Sequence, residues 1–521
     1  MPKINKNIIT YDSEDWLAGL HPQNSSSNLL QQGKGFYVTR SINPYRFLGY
    51  LTVGENLVAI TNASTVMTSK LKQGVNLENY GYLIEDTKLH LLNIITKTLL
   101  NDTAGVGYPH TITAHGGHSG VVSSDIILYN HKVGGTSARR ALYSWSDNTD
   151  WDIGTCDLAV TGAAAFDDDF MSTAPATPLS ISGGYEAGKG YPHPMIVGHD
   201  DIVYIADRNF VHAYDGQNAA DNDGKFFAES FVLPKEYIIY GFAKLSPRSL
   251  AIFASNGSLN NSLNYAKTSV FIWNYLDLDP DYIKEIPENT VRAPFEYRGT
   301  IGCFAYGRSG RYGLYLFNGT NFEKVITFTG GEPLNGGVNI LGDEIQWLSG
   351  GKIWSYGNQY GQKSVLNCID DIGTTGNGFY RTFSTILGRV TSYGTKSFSY
   401  FSPGSYTSVS NGGFLNTAYL PIGKIRIKKV KVYFARVTNG IGISLSAFSY
   451  DNAADLYELI KISNITKKDM VTVNYGLDTS GNKIPELNGI ALNCTFDEGS
   501  GTTACAIIRK IEIEYESTEF T

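Results

Sequence analysis

Short apolar segments that end in an aromatic residue and a polar or glycine turn recur along the chain. Five of them end at Trp145, Tyr214, Trp273, Phe317 and Tyr356, and the next residue is Ser, Asp, Asn or Gly in each case. The last three aromatics are 44 and 39 residues apart, close to the roughly 40–50 residues of one four-stranded propeller blade. This repeat predicts a β-propeller in which the five aromatics occupy equivalent positions.

Two of these segments are preceded by a second apolar segment, as expected for β-hairpins. The two pairs are 201–206 with 211–214 and 343–348 with 353–356. Their connections contain Asn or Gly, which adopt the positive φ that short loops require. A further hairpin is expected from 55–60 and 88–93, with a long insert between them. A β-sandwich with similar hairpins is the alternative, but sandwiches rarely repeat one aromatic stop signal so often.

The pattern divides the chain into four regions. They are an N-terminal arm (1–40), a β-propeller of six or seven blades (41–400), a linker (401–413) and a C-terminal jelly-roll-like β-sandwich (414–521). The arm is rich in Asn, Gln, Ser and Gly, so it buries little apolar surface by itself. We expect it to be ordered only where it docks on a neighbouring subunit or another protein, with Trp16 as one apolar anchor.

Two strands at the ends of the C-terminal region have alternating patterns. Residues 424–428 alternate, and residues 429–434 alternate with the opposite parity. A β-bulge near Lys428 is therefore required to keep both apolar sets on one face. In the last strand, 507–516, apolar residues alternate with glutamates in the same way.

Charge predicts how these two strands are arranged. Arg426 and Lys428 lie off the apolar face of the first strand, and Glu512 and Glu514 lie off that of the last strand. Cross-strand pairs of opposite charge contribute roughly 0.2–1 kcal/mol each. We therefore expect the first and last strands of the C-terminal region to be neighbours.

Composition favours an all-β chain and excludes several functions. The 521 residues include 56 Gly, 34 Tyr and 25 Phe, which are typical of turns and strands. A net charge of −7 argues against sequence-specific or other nucleic-acid binding, which needs a basic surface. No apolar run reaches the roughly 20 residues of a membrane-spanning helix, and no apolar signal core follows the first residues, so we expect neither a membrane span nor a signal peptide.

The five cysteines lack the number and spacing of a disulfide framework. Cys156, Cys303 and Cys368 are interpreted as small packed residues. Cys494 and Cys505 flank a glycine-containing turn, where a hairpin would bring them face to face. The sequence leaves open whether this last pair is bonded.

Two motifs resemble metal sites but lack part of the required pattern. His110, His115 and His118 are close together, yet no Cys or carboxylate completes a zinc spacing. Residues 221–224 resemble the start of a calcium loop, but Ser230 stands where the loop needs a glutamate. We interpret both as polar loops and predict no metal site.

No catalytic or cofactor-binding pattern is recognisable either. Residues 144–151 have the Ser and Trp ends of a sialidase-type aspartate box but lack its Asp and Gly. The chain has no nucleophile elbow, phosphate-binding loop or dinucleotide fingerprint. The acidic run 166–170 is interpreted as a solvated surface. We predict that the chain is not an enzyme, with no catalytic residues and no cofactor.

One segment carries a resemblance to a known group of proteins. Residues 35–54 (GFYVTRSINPYRFLGYLTVG) precede the propeller-like hairpins and the C-terminal sandwich. This segment and layout resemble the propeller-bearing structural proteins of tailed-bacteriophage virions, which include the nozzle-type proteins that close short tails. The resemblance implies a cofactor-free virion protein that forms a homo-oligomer around the tail axis and contacts other virion structural proteins.

Two other classes of function stay open. A carbohydrate-binding adhesin would bind a host-surface glycan through exposed Tyr and Trp side chains. A propeller glycosidase would need two converging carboxylates, which cannot be chosen among the 49 acidic residues without a motif.

Overall fold

The computed structural model is built almost entirely of antiparallel strands. It describes residues 7–16, 50–52, 95–99, 194–207, 209–215, 225–256, 267–307, 312–328, 343–349, 352–357, 413–417, 419–437, 443–449, 456–462, 471–496 and 506–518, and elsewhere mainly the strands named below. In this described part of the chain, no helix combines the length and the apolar character needed to cross a bilayer.

The chain begins with elements that later join the C-terminal strands. They are β1 (Lys3–Ile4), β2 (Ile8–Tyr11), the one-turn helix α1 (Ser13–Trp16) and β3 (Phe36–Arg40). Strand β4 (Glu55–Ala59) follows and belongs to a different sheet.

Seven antiparallel sheets, which we call blades, contain the next strands of the described chain. Blade 1 contains β5 (Gln73–Leu77), β6 (Tyr80–Ile84), β7 (Lys88–Asn93), β8 (Thr98–Leu99) and β9 (His110–Thr111). Blade 2 contains β10 (Gly117–Ser123), β11 (Ile126–Val133), β12 (Arg139–Ser146) and β13 (Cys156–Asp157). Blade 3 contains β14 (Met195–Val197), β15 (Val203–Asp207), β16 (Phe210–Asp215) and β17 (Lys225–Val232).

The other four blades follow the same order. Blade 4 contains β18 (Tyr237–Ser246), β19 (Ser249–Asn256), β20 (Lys267–Trp273) and β21 (Tyr282–Ile286). Blade 5 contains β22 (Thr290–Tyr297), β23 (Thr300–Tyr306), β24 (Tyr312–Phe317) and β25 (Phe322–Phe328). Blade 6 contains β26 (Val338–Leu341), β27 (Glu344–Ser349), β28 (Lys352–Gly357) and β29 (Val365–Asp371). Blade 7 contains β30 (Arg381–Thr385), β31 (Gly388–Tyr393) and β32 (Ser397–Tyr406), with β4 as its fourth strand.

The blades form a closed ring. The first strands of neighbouring blades contact each other in sequence order, and β30 of blade 7 contacts β5 of blade 1. Such a ring of antiparallel sheets with four or more strands each is a β-propeller, so the predicted all-β propeller is confirmed, with seven blades among the described strands. The fourth strand of blade 7 comes from the N-terminal side, which closes the ring with a strand distant in sequence.

The predicted hairpins have different outcomes. The hairpins of 201–214 and 343–356 are present as β15–β16 and β27–β28. The hairpin expected from 55–60 and 88–93 is wrong, because β4 joins blade 7 while β7 pairs with β6. Both segments are strands, but ring closure takes the earlier one to a partner more than 300 residues away.

The five repeated aromatics all lie at or next to the end of the third strand of consecutive blades. Trp145 is on β12, Tyr214 on β16, Trp273 on β20, Phe317 on β24 and Tyr356 on β28. Trp273 and Phe317 are buried, and Tyr356 is partly buried. The expected equivalence of the five positions is confirmed at the level of the strands.

Blade 4 shows why the central strands are apolar on both faces. On β19, Leu250 and Ile252 belong to a core shared with blade 3, whereas Ala251 and Phe253 belong to a core shared with blade 5. Successive side chains of a strand point to opposite faces, so a blade between two neighbours needs apolar residues at every position. This explains the continuous apolar runs in the sequence.

The strands after the ring form a ten-stranded sheet together with β1, β2 and β3. They are β33 (Phe414–Thr417), β34 (Leu420–Val437), β35 (Ile443–Phe448), β36 (Tyr457–Ile462), β37 (Val471–Asn474), β38 (Leu487–Phe496) and β39 (Ala506–Ser517). The main path runs β1-β2-β39-β34-β38-β33-β3, with β35 and β36 attached to β38 and β37 attached to β34. We call this group the C-terminal sheet.

The C-terminal sheet extends beyond the predicted domain boundaries. Strand β2 pairs with β39, and Ile9 and Trp16 are fully buried. The first part of the region interpreted as an N-terminal arm is therefore held by the last strand of the same chain. Strand β32 runs to Tyr406, into the segment interpreted as a linker.

The first and last long strands of the C-terminal region are neighbours in the sheet, as predicted. Strands β34 and β39 pair along their length, and the register shifts between Ile427 and Lys429, which places the expected bulge at Lys428. The charge partners differ from those expected. Arg426 lies opposite Glu516, while Lys429 and Lys431 lie opposite Glu514 and Glu512. Lys428 sits in the bulge and has no direct register partner, but its Nζ lies 2.5 Å from the Glu516 carboxylate.

Contacts divide the chain into two compact units. One consists of 59–351 and 374–400 and contains the ring of first strands. The other consists of 1–58, 352–373 and 401–521 and contains the C-terminal sheet.

Candidate interaction surface

An asparagine ends the third strand of several blades and turns the chain toward the fourth strand. The side-chain oxygen of Asn318 accepts hydrogen bonds from the backbone N–H groups of Thr320 (2.9 Å) and Asn321 (2.8 Å). The side-chain oxygen of Asn274 accepts from the N–H groups of Leu276 and Asp277 in the same way. The side-chain oxygen of Asn93 accepts from those of Ile95 and Thr96, both at 3.0 Å. Asparagine side chains stabilise turns in this way, which explains the polar residue after the aromatic in the sequence repeat.

The turn of blade 4 is extended into a loop that exposes two leucines. We call residues 274–281 (Asn-Tyr-Leu-Asp-Leu-Asp-Pro-Asp) the leucine loop. Leu276 is 88% exposed and Leu278 is 85% exposed. Asp277 lies between these leucines, Asp279 and Asp281 follow them, and the loop contains no basic residue. The surface is therefore both apolar and acidic.

Hydrogen bonds hold the leucine loop in one conformation. The indole N–H of Trp273 donates to the backbone oxygen of Asp277 at 2.7 Å. The amide of Asn274 donates to the carboxylates of Asp277 (2.5 Å) and Asp281 (3.0 Å). The Asp281 N–H donates to the carbonyl of Ile272 at 2.8 Å, which returns the chain to the sheet. The leucines are thus presented on an ordered support.

The inner side of the leucine loop is anchored by an aromatic cluster. Tyr275 has a φ of 69°, which is unusual for a bulky residue, and its ring lies 5.1 Å from that of Tyr204 and 5.6 Å from that of Trp273. Burial, followed by the charge of Asp200, raises the pKa of Tyr275 to about 12. Tyr204 donates to the Asp200 carboxylate at 2.7 Å, and burial raises its pKa well above the usual value. Both phenols therefore stay neutral at physiological pH.

A second exposed apolar surface lies on the C-terminal sheet. Strand β37 pairs with β34 at the margin of the sheet, and it continues into Tyr475, which is 72% exposed. Val473 is also exposed and lies opposite Lys431. The Nζ of Lys429 is 5.3 Å from the centre of the Tyr475 ring. We call Val473, Tyr475, Lys429 and Lys431 the lysine edge.

Blade 5 and the turn before it contain a buried polar cluster of Glu288, Tyr315 and Lys324. The Glu288 carboxylate accepts a hydrogen bond from the Tyr315 hydroxyl at 2.9 Å and lies 2.7 Å from Nζ of Lys324. Burial, and then the hydrogen bond to Glu288, raises the pKa of Tyr315 well above its usual value. Tyr315 belongs to the core shared by blades 4 and 5, so the cluster lies inside the packing between blades. It is interpreted as structural.

The structure describes only part of the sequence motifs that resemble metal sites. The backbones of His110 and His118 lie on β9 and β10 of blade 1 and blade 2. His115, residues 221–224 and the acidic run 166–170 lie outside the described residues. Within the described ranges, no three His, Cys, Asp or Glu side chains are grouped to hold a metal ion.

The other two candidate features are only partly described. Residues 144–146 of the degenerate aspartate box lie on β12, and the rest of that segment lies outside the described residues. Cys494 is buried on β38, between Leu415 and Leu445 of the flanking strands. Cys505 lies outside the described residues, so the proposed pairing of these two cysteines stays a prediction.

Comparison with known proteins adds only a distant structural likeness. No family model matches the chain, and no curated protein sequence matches it. Among solved structures, the chain is similar to the GH74 xyloglucanase from Xanthomonas campestris, with 12% sequence identity and a TM-score of 0.40. The match covers 68% of this chain and 56% of the xyloglucanase chain. At this identity and score it says nothing about activity.

The two surfaces were not found by sequence reasoning. The Leu-Asp-Leu-Asp pattern of the leucine loop has the alternation of a half-buried strand. The useful signal is the preceding Trp273-Asn274 pair, since the same aromatic-asparagine pair ends β24 at Phe317-Asn318. It indicates that the residues after Asn274 form a turn.

Proposed function

We propose that this chain is a structural protein of a phage virion, a component of the tail or tail tip that acts through protein-protein contacts. The observation that carries the proposal is the leucine loop, in which Leu276 and Leu278 are almost fully exposed on a hydrogen-bonded support. Exposed apolar groups on an ordered surface are typical of protein-protein interfaces. A flexible loop would instead be able to fold its leucines back onto the sheet.

The resemblance of residues 35–54 to the propeller-bearing proteins of phage virions supports the proposed virion role. In the structure, β3 lies within this segment and pairs with β33 of the C-terminal sheet. Leu51 forms an antiparallel bridge with Ile508 of β39, with both N–O distances at 2.9 Å. Strand β3 and Leu51, on either side of the middle of this segment, thus both pair with strands of the C-terminal sheet. The role of the segment in this proposal is to hold that sheet, and it requires no cofactor.

The experiment is immunogold electron microscopy of purified particles with an antibody to this protein. We expect gold at the tail, with no labelling of particles from a phage that lacks the gene. Particles that are unlabelled both intact and after mild disruption would overturn the proposal. Labelling confined to the head would reject the tail assignment while keeping a structural role.

A further inference from the structure

The asparagine turn of blade 5 differs from the other two described asparagine turns in the residue that follows the asparagine. Gly319 follows Asn318, whereas a tyrosine follows Asn274 and an isoleucine follows Asn93. Gly319 has a φ of 92° and is exposed, and a Cβ at this position would meet no atom within 4 Å. The backbone next to Asn318 is therefore open to solvent and has no side chain that could hinder a reaction.

The side-chain amide of Asn318 is held by groups that can assist a reaction at its carbon atom. Its oxygen accepts from the backbone N–H groups of Thr320 at 2.9 Å and Asn321 at 2.8 Å. Two N–H donors at such distances stabilise negative charge that develops on an oxygen. Its nitrogen donates to the Glu323 carboxylate at 2.7 Å, which is within the distance at which a carboxylate exchanges protons with its partner.

We propose that Asn318 is a site of self-modification, at which the folded chain converts this asparagine into aspartate or isoaspartate. The backbone nitrogen of Gly319 attacks Cγ of Asn318, so that a cyclic imide forms as the bond between Cγ and Nδ2 breaks. The proton that the Gly319 N–H loses passes through water and Glu323 to the leaving nitrogen, which departs as ammonia. Water then opens the imide at one of its two carbonyl carbons. Opening at Cγ gives aspartate, and opening at the backbone carbonyl gives isoaspartate.

The products change the connection between β24 and β25. A carboxylate at position 318 cannot donate to Glu323 and places a second negative charge beside it. Isoaspartate also routes the backbone through the side-chain carbon, inside a turn in which the Asn318 N–H donates to the Asn321 carbonyl at 3.0 Å. Both products should therefore loosen the outer strand of blade 5. This inference is independent of the proposed virion role, so either can fail alone.

The first test is peptide mapping by mass spectrometry of the purified full chain during incubation in a mildly alkaline buffer, with fragmentation that distinguishes aspartate from isoaspartate. We expect both products at position 318, while Asn274 and Asn93 stay asparagine over the same time. These two residues are matched internal controls, because their side-chain oxygens also accept from two backbone N–H groups of the turn. Conversion at position 318 that is no faster than at positions 274 and 93 would overturn the inference.

The second test addresses the carboxylate. Glu323→Gln keeps an oxygen that accepts from Asn318 but cannot relay a proton, so conversion should slow several-fold. The control is Glu285→Gln, since Glu285 is an exposed glutamate on the outer strand of blade 4, and this variant should react like the wild type. An unchanged rate in Glu323→Gln would overturn the role assigned to Glu323.

The third test addresses the glycine and the consequence for the fold. Gly319→Asn adds a side chain, and asparagine tolerates positive φ, so the turn should be kept while conversion at position 318 slows to the level of the two control turns. On incubation, the melting temperature of the wild type should fall and that of Gly319→Asn should not. An equal fall in both proteins would show that conversion of Asn318 does not loosen blade 5.

Discussion

The Nζ of Lys324 lies 2.7 Å from the carboxylate of Glu288, a side chain that is only 3% exposed between blades 4 and 5. The hydroxyl of Tyr315 donates to the same carboxylate oxygen at 2.9 Å. Removing one donor from a buried carboxylate costs more than the hydrogen bond contributes, because the charge loses compensation that water cannot replace.

We therefore expect Lys324→Met to lower the free energy of unfolding by about 1–3 kcal/mol, measured by denaturant unfolding. The matched control is Lys267→Met, which removes an ion pair with Glu285 in which both side chains are more than half exposed. Exposed pairs contribute about 0–1 kcal/mol. Equal effects of the two replacements would contradict the structural role of the Glu288 cluster.

The asparagine turns make a prediction that can be read at single amides. Asn93→Ala removes the acceptor for the N–H groups of Ile95 and Thr96. We expect faster hydrogen exchange at these two amides and a loss of about 1 kcal/mol in stability. Asn93→Asp keeps an oxygen in the same place and should preserve both hydrogen bonds. Exchange that is equally fast in the Asp and Ala variants would reject the turn assignment.

The lowered pKa of Glu512 leads us to expect that the protein loses stability in acid. Burial alone would raise the pKa of this carboxylate, but hydrogen bonds from Lys510 and Tyr433, with the charges of Lys510 and Lys431, lower the pKa below the usual value of 4.5. The folded state therefore binds this proton more weakly than the unfolded state. Its contribution to stability is present above about pH 4.5 and is lost as the pH falls through the lowered pKa.

Replacing this carboxylate should flatten that pH dependence. We expect the melting temperature of Glu512→Gln to be below that of the wild type at pH 7, with the difference shrinking as the pH falls below about 4.5. Glu514→Gln is the control, because Glu514 is an exposed glutamate two residues along the same strand. A difference between wild type and Glu512→Gln that is the same at pH 7 and pH 3 would contradict the role of the carboxylate charge.

Because Trp16 is buried against the last strand, we expect the N-terminal strands to stabilise the C-terminal sheet. The Trp16 side chain is fully buried, its ring stacks 6.2 Å from that of Tyr11, and its indole N–H donates to the Arg509 carbonyl at 3.4 Å. Trp16→Ala should cost about 3–5 kcal/mol and expose the first residues to limited proteolysis. The exposed Glu14→Ala is the control and should have little effect. Unchanged stability and protease resistance in Trp16→Ala would show that β2 does not depend on this anchor.

The repeating part of the fold was predictable because its signals are local. An apolar strand, an aromatic at its end and an asparagine turn are determined by residues close together in the chain, as at Phe317 and Asn318. The bulge at Lys428 was predictable for the same reason, since a change of parity within one strand permits no other way to keep one apolar face.

The amino-acid sequence by itself thus determined the all-β class, the propeller repeat and the pairing of the first and last strands of the C-terminal sheet. Only the tertiary structure decided which distant strand completes each sheet, because a backbone edge accepts any strand and the choice depends on packing. This applies to β4 in blade 7 and to β2 beside β39. The tertiary structure also decided that Leu276 and Leu278 are exposed. Their alternation with aspartates predicts a strand, but the hydrogen bonds of Trp273 and Asn274 hold these residues in a loop.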